Sequence, residues 1–377
     1  MVYDVIVVGV GGMGSAALWQ LARRGKRVLG LERFDIPNAM GSSHGVTRII
    51  RLPYHESPDY VPLLRRAYEL WRALERDSGR ELLVVTGSID ASREGVSPFR
   101  GALESAQAHG IEHDVLSGRE VNARFPGYRL PDDFAALYQP QGGFIASERA
   151  IVSHVQAAQS LGAEIHAREP VLEWKAKPGG DGVVVTTDHG RYEASTLILS
   201  CGAWMGELAP ILKNLAVPER QVLAWFQPHK PELFQPGRFP VFNIEVDEGR
   251  YYGLPEYGVP GFKLGRYHHR GESGPADEIR KEPDREDESL LRSFARKYFP
   301  AGNGPTMALR SCFFTNTPDE HFILDFHPRY PQVILASPCS GHGYKFCSVI
   351  GEILADLAGP DRRSRHEIGF LGLNRLL

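Results

Sequence analysis

Cysteine is scarce in this chain: only Cys201, Cys312, Cys339 and Cys347 occur among 377 residues. Their spacing contains no CxxC pair or other metal-ligand pattern, so a zinc site is not predicted. Four widely separated cysteines in a chain of this length also give no sign of a secreted disulfide framework. The cysteines therefore indicate a protein of a reducing compartment, without a metal of its own.

Long basic and long apolar runs are missing as well. No basic run exceeds a pair and the formal net charge is -3, so we expect no nucleic-acid partner. No apolar run approaches the roughly 18 residues that a membrane span needs. The start of the chain lacks the cationic region of a signal peptide. We expect a cytoplasmic protein with no membrane partner.

Length and residue pattern predict an α/β protein of two domains. At roughly 100 to 200 residues per domain, 377 residues suggest two domains. A predicted strand at Val5–Val8, a helix to about Arg24 and a strand at Arg27–Leu31 form a βαβ unit. Between 216 and 315 the predicted strands are short and rich in aromatic or β-branched residues, which is typical of an antiparallel sheet.

A glycine-rich turn, Gly9-Val10-Gly11-Gly12-Met13-Gly14, joins the first predicted strand to its helix. This is the context that a dinucleotide-binding fingerprint requires. Gly9 permits the tight turn, Gly11 lets backbone N–H groups approach a pyrophosphate, and Gly14 allows close packing of the helix on the strand. Glu32, which ends the second strand, can accept hydrogen bonds from ribose hydroxyls. The motif alone fits either FAD or NAD.

Two features favour FAD over NAD. The segment Thr196–Trp204 is an apolar strand ending in a turn of small residues, which in many FAD enzymes packs beside the dinucleotide. No second mononucleotide-binding half follows the first βαβ unit, as a two-halved NAD domain requires. We therefore expect a discontinuous Rossmann-like FAD-binding domain and a second, α+β substrate domain built on a mainly antiparallel sheet. The predicted ranges are 1–80, 145–215 and 320–377 for the first domain, and 81–144 and 216–319 for the second.

Six blocks of sequence resemble the monomeric sarcosine oxidase and N-methyltryptophan oxidase family of amine-oxidising flavoenzymes. Besides the glycine turn, they are Gly41–Arg51, Phe262–Gly265, Arg310–Cys312, Pro318–Ile323 and Ser340–Phe346. The resemblance covers nearly the whole chain. It implies oxidation of a secondary amino acid by O2 through FAD, giving an imine and hydrogen peroxide. From sarcosine the products would be glycine and formaldehyde.

The resemblance also implies a role for individual residues. Cys312 would carry the flavin through a thioether to its 8α carbon. Arg51 and Lys345 would grip the substrate carboxylate, which suits the charge and the fork geometry of these side chains. Arg48 would lie against the flavin ring. His342 would lie in the turn that faces the flavin's pyrimidine oxygen, where a helix N-terminus favours negative charge.

Lys263, Tyr252 and a histidine complete the implied active site. The ammonium of Lys263 would lie on the other flavin face and stabilise charge that develops as O2 is reduced. Strand alternation alone does not fix the side on which Lys263 points. Tyr252 matches an active-site tyrosine, and the family's histidine aligns with His268 or is replaced by Tyr267. The residues expected at FAD are Gly9, Val10, Gly11, Gly12, Met13, Gly14, Glu32, Arg33, Ser42, Ser43, Thr47, Arg48, Val171, Gly202, Trp204, Cys312, Gly341, His342, Gly343, Tyr344 and Lys345.

Some positions differ from the family's pattern. Asn243 stands where sarcosine oxidase has a methionine, and Phe314 where it has a tyrosine. Ser43 and Val46 replace a histidine and an aspartate. These changes leave flavin attachment and carboxylate binding in place but alter the substrate pocket. The histidines on other predicted helices are interpreted as surface residues: His109, His113 and His154.

Two alternative functions stay open beside a monomeric, cytoplasmic FAD-dependent oxidase of N-methyl or cyclic secondary amino acids. The first is a flavin dehydrogenase that passes electrons to a quinone or a protein, which an apolar docking surface would favour. The second is a non-catalytic FAD-binding protein, against which the presence of Arg51, Lys263 and Lys345 argues. The expected partners are a small-molecule secondary amino acid and O2.

Overall fold

A glycine turn joins strand β1 (Val2–Val8) to helix α1 (Gly12–Arg23) in the computed structural model, which describes residues 2–377. β1 is buried along its last four residues. It lies between two parallel neighbours, β2 (Val28–Leu31) and β12 (Arg191–Leu199). The central strands of a parallel sheet are buried on both faces and therefore consist mainly of aliphatic residues. The predicted βαβ unit is present.

The remaining elements complete a mixed α/β fold. The other strands are β3 (Thr47–Ile50), β4 (Leu83–Val85), β5 (Ser88–Arg93), β6 (Asp114–Ser117), β7 (Phe134–Gln139), β8 (Gly143–Ala146), β9 (Glu164–His166), β10 (Val171–Ala176), β11 (Val183–Thr187), β13 (Val217–Phe226), β14 (Val241–Val246), β15 (Gly249–Leu254), β16 (Phe262–Arg266), β17 (Thr306–Asn316), β18 (Ile323–His327) and β19 (Tyr330–Ser337). The other helices are α2 (Val61–Ser78), α3 (Phe99–His109), α4 (Gly118–Arg124), α5 (Ser147–Ser160), α6 (Met205–Leu208), α7 (Arg285–Tyr298) and α8 (Cys347–Leu357).

The first sheet contains the dinucleotide fingerprint. Its main order is β10-β11-β12-β1-β2-β9, and β19 pairs with β12 and with β18. Helix α1 packs between this sheet and helices α5 and α8. Every strand of this sheet falls within the ranges predicted for the FAD-binding domain, 1–80, 145–215 and 320–377.

The second sheet has the order β17-β13-β16-β15-β14-β5-β7-β6 and is antiparallel except between β14 and β5. Phe242, Phe262 and Leu264 on one face join a buried core with Phe294 of α7. Because side chains alternate along a strand, Asn243 and Lys263 lie on the opposite face. All eight strands lie within 81–144 and 216–319, the ranges predicted for the substrate domain.

A small third sheet has the order β3-β8-β4, and its strand β3 lies within the block Gly41–Arg51. Val46, just before β3, has a left-handed backbone with φ of 73°. The carboxylate of Glu148 accepts hydrogen bonds from the N–H groups of Gly45 and Val46, which holds this turn in place. The turn thereby positions Thr47 and Arg48.

One helix was not located from the sequence, and one interpretation was wrong. The predicted α+β domain between 216 and 315 was described by its strands only; its helix is α7, which Asp284 caps by accepting from the N–H groups of Glu286 and Asp287. His154 was expected at the surface, but it is 1% exposed and packs against the aromatic rings of Trp19 and Trp71. Within residues 2–377, no helix is both long enough and apolar enough to cross a bilayer.

Candidate functional site

A continuous cavity of about 600 Å³ runs from the glycine turn of the first sheet to the face of the second sheet. Such a concave site between two layers is where small molecules and cofactors usually bind. Gly14 and His268 are not among the lining residues. The predicted site residues that line it are Gly9, Val10, Gly11, Gly12, Met13, Glu32, Arg33, Ser42, Ser43, Thr47, Arg48, Arg51, Val171, Gly202, Trp204, Tyr252, Lys263, Cys312, Gly341, His342, Gly343, Tyr344 and Lys345.

The glycine turn has the close packing that its sequence predicts. Gly9 has a positive φ of 87°, a conformation that L side chains rarely adopt. A Cβ on Gly14 would lie 1.8 Å from the backbone oxygen of Gly9, so only glycine permits this approach of helix to strand. Gly14 therefore shapes the turn without lining the cavity. The N–H of Gly12 donates to the hydroxyl of Ser43.

Glu32 lies beside the turn with its carboxylate fixed by backbone groups. Its oxygens accept hydrogen bonds from the N–H of Val10 at 2.8 Å and of Phe34 at 3.0 Å. Burial raises the pKa of Glu32, although these N–H donors oppose that effect. Each carboxylate oxygen has two lone pairs, so both retain capacity to accept from a ribose hydroxyl.

Three neighbouring strands of the second sheet carry a row of polar side chains, of which Asn243 and Tyr252 line the cavity and Asp90 is buried behind Asn243. In the register of β5, β14, β15 and β16, Asp90 lies opposite Asn243, Asn243 opposite Tyr252, and Tyr252 opposite Gly265. Directly opposed residues share one face of a sheet. A Cβ on Gly265 would lie 2.3 Å from the Tyr252 ring, so the glycine leaves room for the tyrosine to lie across the sheet.

Lys263 points into the cavity and is only 1% exposed. Its Nζ donates to the carbonyl oxygen of Gly45 at 2.8 Å and to that of Thr47 at 2.6 Å. Burial, reinforced by the nearby Arg48 cation, holds the pKa of Lys263 well below its usual range. The side that alternation alone could not fix is therefore the cavity side.

Arg48 and Cys312 lie close to Lys263. The guanidinium of Arg48 donates to the carbonyl oxygens of Ser42 and Thr47, which directs this cation across the cavity wall. Cys312 is 4% exposed, and burial raises the pKa of its thiol while the Arg48 and Lys263 cations act in the opposite direction. Burial is the larger effect, so the two cations offset the rise in the pKa of the thiol only in part.

Arg51 is held between two carboxylates. Its Nη2 donates to Glu56 at 3.0 Å, and its Nε lies 3.2 Å from Oδ1 of Asp90. His55 lies beside the same guanidinium, with Nδ1 2.6 Å from Nη2. Burial would raise the pKa of Glu56, but the basic groups around it, Arg51 first among them, together hold it well below its usual range. Arg51 is therefore a fixed cation whose charge is already balanced.

Lys345 lies close to Arg51 and is 5% exposed. Its Nζ donates to the backbone oxygen of His342 at 2.7 Å and to the hydroxyl of Tyr54 at 3.3 Å. Burial and the Arg51 cation lower the pKa of Lys345 to about 7, although Glu56 and Asp90 act in the opposite direction. Its nearest hydrogen-bond partners are neutral, so its charge is available to an anionic ligand.

Aromatic rings close the cavity around these charges. Tyr267 packs edge-to-face on Tyr252 with ring centroids 5.2 Å apart, and against Phe314 at 5.7 Å. Burial raises the pKa of Tyr267 to about 12 and that of Tyr252 well above its usual value. Both tyrosines therefore stay neutral near pH 7.

His268 does not belong to this wall. Its ring bridges Glu219 at 2.8 Å and Glu320 at 3.0 Å, and these two hydrogen bonds raise its pKa to about 9. Strand β16 ends at Arg266, and the chain then turns with a φ of 51° at His268. The alternation of side chains along β16 therefore does not extend to His268. Tyr267, of the same parity as Lys263, points into the cavity instead. The expectation that His268 is a catalytic residue is therefore not supported by its position.

Known proteins resemble the chain over its whole length. The family model described as FAD dependent oxidoreductase matches residues 4–357. Monomeric sarcosine oxidase from Bacillus sp. (strain B-0618) is 40% identical over 381 residues, covering 99% of this chain and 96% of that protein. The chain belongs to the FAD-dependent oxidoreductases.

Two further similarities narrow the position within this family. N-methyl-L-tryptophan oxidase from Yersinia pestis (strain Pestoides F) is 33% identical over 378 residues, with 100% of both chains covered. The structure of NikD, an unusual amino acid oxidase essential for nikkomycin biosynthesis, matches with a TM-score of 0.84 at 27% identity, covering 98% of this chain and 97% of NikD. The predicted membership in the sarcosine oxidase and N-methyltryptophan oxidase family is confirmed, and so is the predicted fold class.

The residues present fit FAD. The glycine turn leaves backbone room for a pyrophosphate, and the Glu32 carboxylate can accept from a ribose. The hydroxyl of Ser42 is buried without a hydrogen-bond partner at the cavity wall. Residues 2–377 hold no cluster of three or more His, Cys, Asp or Glu that could bind a metal ion.

Sequence reasoning missed three residues that contact Arg51 or Lys345: Tyr54, Glu56 and Asp90. Tyr54 and Glu56 follow Arg51 closely in the chain, so their proximity to it was a usable signal. Asp90 comes from a distant strand and is brought to Asn243 only by the pairing of β5 with β14. No local pattern in the sequence identifies such a partner.

Proposed function

We propose that the protein is an FAD-dependent oxidase of N-methyl or cyclic secondary amino acids that reduces O2 to hydrogen peroxide. The observation that carries this proposal is the pair of buried cations Arg51 and Lys345, which face the same cavity as Lys263 and Cys312. We call Arg51 and Lys345 the carboxylate clamp. A site that combines such a clamp with a dinucleotide fingerprint is suited to an amino acid as substrate. With sarcosine, O2 and water as reactants, the products are glycine, formaldehyde and hydrogen peroxide.

The substrate carboxylate binds at Arg51 and Lys345. Because Glu56 and Asp90 already balance the charge of Arg51, Lys345 supplies the uncompensated positive charge. The planar guanidinium fixes the orientation of the carboxylate, and the ammonium adds attraction. Together they orient the amine toward the centre of the cavity.

The walls of the cavity exclude water from the reacting amine and favour its neutral form. Tyr252, Tyr267 and Phe314 surround that space with aromatic surface, and both hydroxyls stay protonated. An uncharged amine is favoured over an ammonium in such surroundings. When bound, FAD supplies the acceptor for the hydride equivalent that leaves the carbon beside nitrogen. Water then hydrolyses the imine.

Cys312 is the proposed attachment point of FAD through a thioether to the 8α carbon. Its place in the cavity wall near Arg48 and Lys263 supports this proposal, since nearby positive charge partly offsets the cost of forming the reactive thiolate at a buried position. The turn at Gly341–Gly343 and the side chain of Arg48 would hold the ring portion, and the glycine turn with Glu32 the nucleotide portion. The two predicted domains, with ranges as given above, remain part of the proposal, as does a monomeric state.

Lys263 distinguishes an oxidase from a dehydrogenase. The carbonyl oxygens of Gly45 and Thr47 fix its desolvated Nζ in the cavity, and this group, when protonated, would stabilise the negative charge that develops on O2. A dehydrogenase with a quinone or protein acceptor has no need of that charge.

A substrate panel with peroxide detection tests the function. We expect equal amounts of hydrogen peroxide and aldehyde from sarcosine, and activity with other N-methyl or cyclic secondary amino acids. Primary amines without a carboxylate serve as the negative control. Oxidation that proceeds only with an artificial acceptor, with no peroxide formed, would replace this proposal with the dehydrogenase.

A further inference from the structure

An amide, Asn243, forms part of the cavity wall beside the carboxylate clamp. Asn243 is 1% exposed and lies in the middle of β14. Its Nδ2 donates to Oδ1 of Asp90 at 3.1 Å, and Asp90 itself is 0% exposed. A buried amide held by a buried carboxylate is a built feature of the wall, since a polar group is costly to bury without such a partner.

The chemistry of Asp90 fixes the orientation of this amide. An ionised carboxylate only accepts hydrogen bonds, so the nitrogen of Asn243 must face Asp90. The carbonyl oxygen then faces Tyr267, whose hydroxyl is 3.4 Å away. A good O–H···O bond is about 2.5 to 3.0 Å long, so this contact leaves the carbonyl able to accept from a better donor.

The position of this carbonyl relative to Arg51 limits which part of a substrate reaches it. Oδ1 of Asp90 is shared, because it contacts Nε of Arg51 at 3.2 Å and Nδ2 of Asn243 at 3.1 Å. A group that reaches Asn243 therefore lies near the carboxylate end of the substrate, on its side chain. Oδ2 of Asp90 has no hydrogen-bond partner, so the negative charge behind the amide also favours a donor over an acceptor.

The surfaces around Asn243 are aromatic. Tyr252, Tyr267 and Phe314 offer mainly ring surface to the same part of the cavity. A few polar groups set among mainly aromatic walls are the usual arrangement by which a pocket selects a polar substituent, and the amide carbonyl of Asn243 is one of these groups.

We propose that Asn243 is a specificity-determining residue, which accepts a hydrogen bond from a hydroxyl or N–H group on the side chain of a secondary amino acid. The inference rests on the proposed function and names its substrate class: N-alkyl amino acids with a hydrogen-bond donor on the carbon next to Cα. A site that hydrogen-bonds a substrate group discriminates strongly against the analogue that lacks it. Asp90 is the positioning residue, because it dictates which end of the amide faces the substrate.

The test compares two substrates that differ only in the donor. N-methylserine carries a hydroxyl where N-methyl-2-aminobutyrate, of nearly the same size, carries a methyl group; both enantiomers of each are assayed on the holoenzyme. We expect kcat/KM to be at least tenfold higher for N-methylserine in the wild-type protein. In Asn243→Leu, which is similar in shape but has no acceptor, the ratio should approach one.

Asp90→Asn provides a second, independent variant. An asparagine there can accept or donate, so the amide of Asn243 is no longer forced into one orientation, and the ratio should fall severalfold. A merely structural effect of this substitution would reduce kcat/KM for both substrates alike and leave the ratio unchanged. An unchanged ratio would therefore contradict the positioning role.

Failure of this inference and failure of the proposed function give different results. A wild-type ratio near one, a ratio that persists in Asn243→Leu, or oxidation of sarcosine with neither substituted substrate oxidised would overturn the inference. If no secondary amino acid is oxidised, the proposed function fails. The role of Asn243 is then tested by the binding of two carboxylates that are not oxidised. Glycerate should then bind the holoenzyme at least tenfold more tightly than 2-hydroxybutyrate, measured by the change in flavin absorbance, and Asn243→Leu should abolish the difference.

Discussion

Arg51 and Glu56 form a buried ion pair, with Nη2 of the arginine 3.0 Å from Oε2 of the glutamate. The pair makes Arg51 rigid before any ligand arrives, since Asp90 holds the other side of the guanidinium. Removing Arg51 would leave two buried carboxylates without their cation, which is costly to the fold. Substitution of Arg51 should therefore affect both stability and ligand binding, whereas substitution of Lys345 should affect mainly ligand binding.

Lys345→Met should weaken binding of carboxylate substrates by roughly 2 to 5 kcal/mol, because it removes a cation from a desolvated site. Arg51→Ala should show a loss of the same order together with a lower melting temperature, since Glu56 and Asp90 lose their partner. KM and the Kd of a carboxylate inhibitor measure the first effect. Lys175→Met, at an exposed position, is the matched control. Wild-type affinity in both clamp variants would remove the clamp from the mechanism.

The affinity for a carboxylate should depend on pH through Lys345. Its pKa is lowered to about 7, so the ammonium is present below that pH and is lost as the pH rises through it. Binding of 2-hydroxybutyrate, which has no titrating amine, should be nearly constant below pH 7 and weaken progressively above it. Calorimetry in buffers of different ionisation enthalpy should detect proton uptake on binding above pH 7. Lys345→Met should remove both effects.

Flavin should stay attached to denatured protein if Cys312 forms the thioether. Acid-precipitated protein should remain yellow, and a proteolytic peptide that contains Cys312 should carry the mass of the flavin. Cys312→Ser should release its flavin into the supernatant, whereas Cys339→Ser, at another cavity-lining cysteine, should retain it. Complete release of flavin from the wild-type protein would show that the cofactor is held without a covalent bond.

Lys263→Met should slow the reaction with O2 about a hundredfold to a thousandfold, and anaerobic oxidation of substrate far less. Stopped-flow absorbance separates the two half-reactions. Lys263→Gln is the matched variant, because its amide can still donate to the carbonyl oxygens of Gly45 and Thr47 but carries no charge. If the glutamine variant reacts with O2 as fast as the wild-type protein, the charge of Lys263 is not what the reaction uses.

His268 should contribute to stability in a pH-dependent way. Its pKa is raised to about 9 in the folded protein, against about 6.5 for an unperturbed histidine. The stabilisation is therefore fully present below about pH 6.5 and is lost as the pH rises through about 9. His268→Asn, which tolerates the positive φ, should lower the unfolding free energy by on the order of 1 kcal/mol at pH 6, since solvent screens a ring that is 45% exposed.

Thermal melts of the two proteins should converge above pH 9. Glu219 is 5% exposed, so the glutamate, rather than the histidine, is the buried partner of this bridge. A constant difference between the proteins at every pH would show that the ion pair does not titrate with His268.

The local features of the fold were predictable from sequence because their causes are local. The glycine turn, the burial of β1 and the strand β2 that completes the βαβ unit all follow from residue types that neighbour each other in the chain. Helix α7 was missed because its apolar side is narrow: Leu291, Phe294, Ala295 and Tyr298 are its buried apolar residues, set among many charges. Its capping aspartate, Asp284, was the signal that could have located its start.

The candidate site was only partly predictable. The family resemblance supplied Arg51, Lys263 and Lys345, and all three line the cavity. Once Lys263 is known to point inward, alternation places Tyr267 on the same side, and Tyr267 lines the cavity whereas His268 does not. Asp90 could not be found, because its role depends on strand pairing between residues 153 positions apart.

In the row that runs from Asp90 through Asn243 to Tyr252, substitutions and insertions have different structural consequences. Substitution within the row alters which side chain meets a substrate, while the glycine turn and the Lys263 contacts belong to other segments and stay as they are. Insertion of one residue in β14 would instead turn its cavity-facing side chains to the opposite face and move its core side chains, such as Phe242 and Ile244, toward the cavity. Relatives that oxidise different amino acids should therefore differ by substitutions along this row, while the lengths of its strands stay the same.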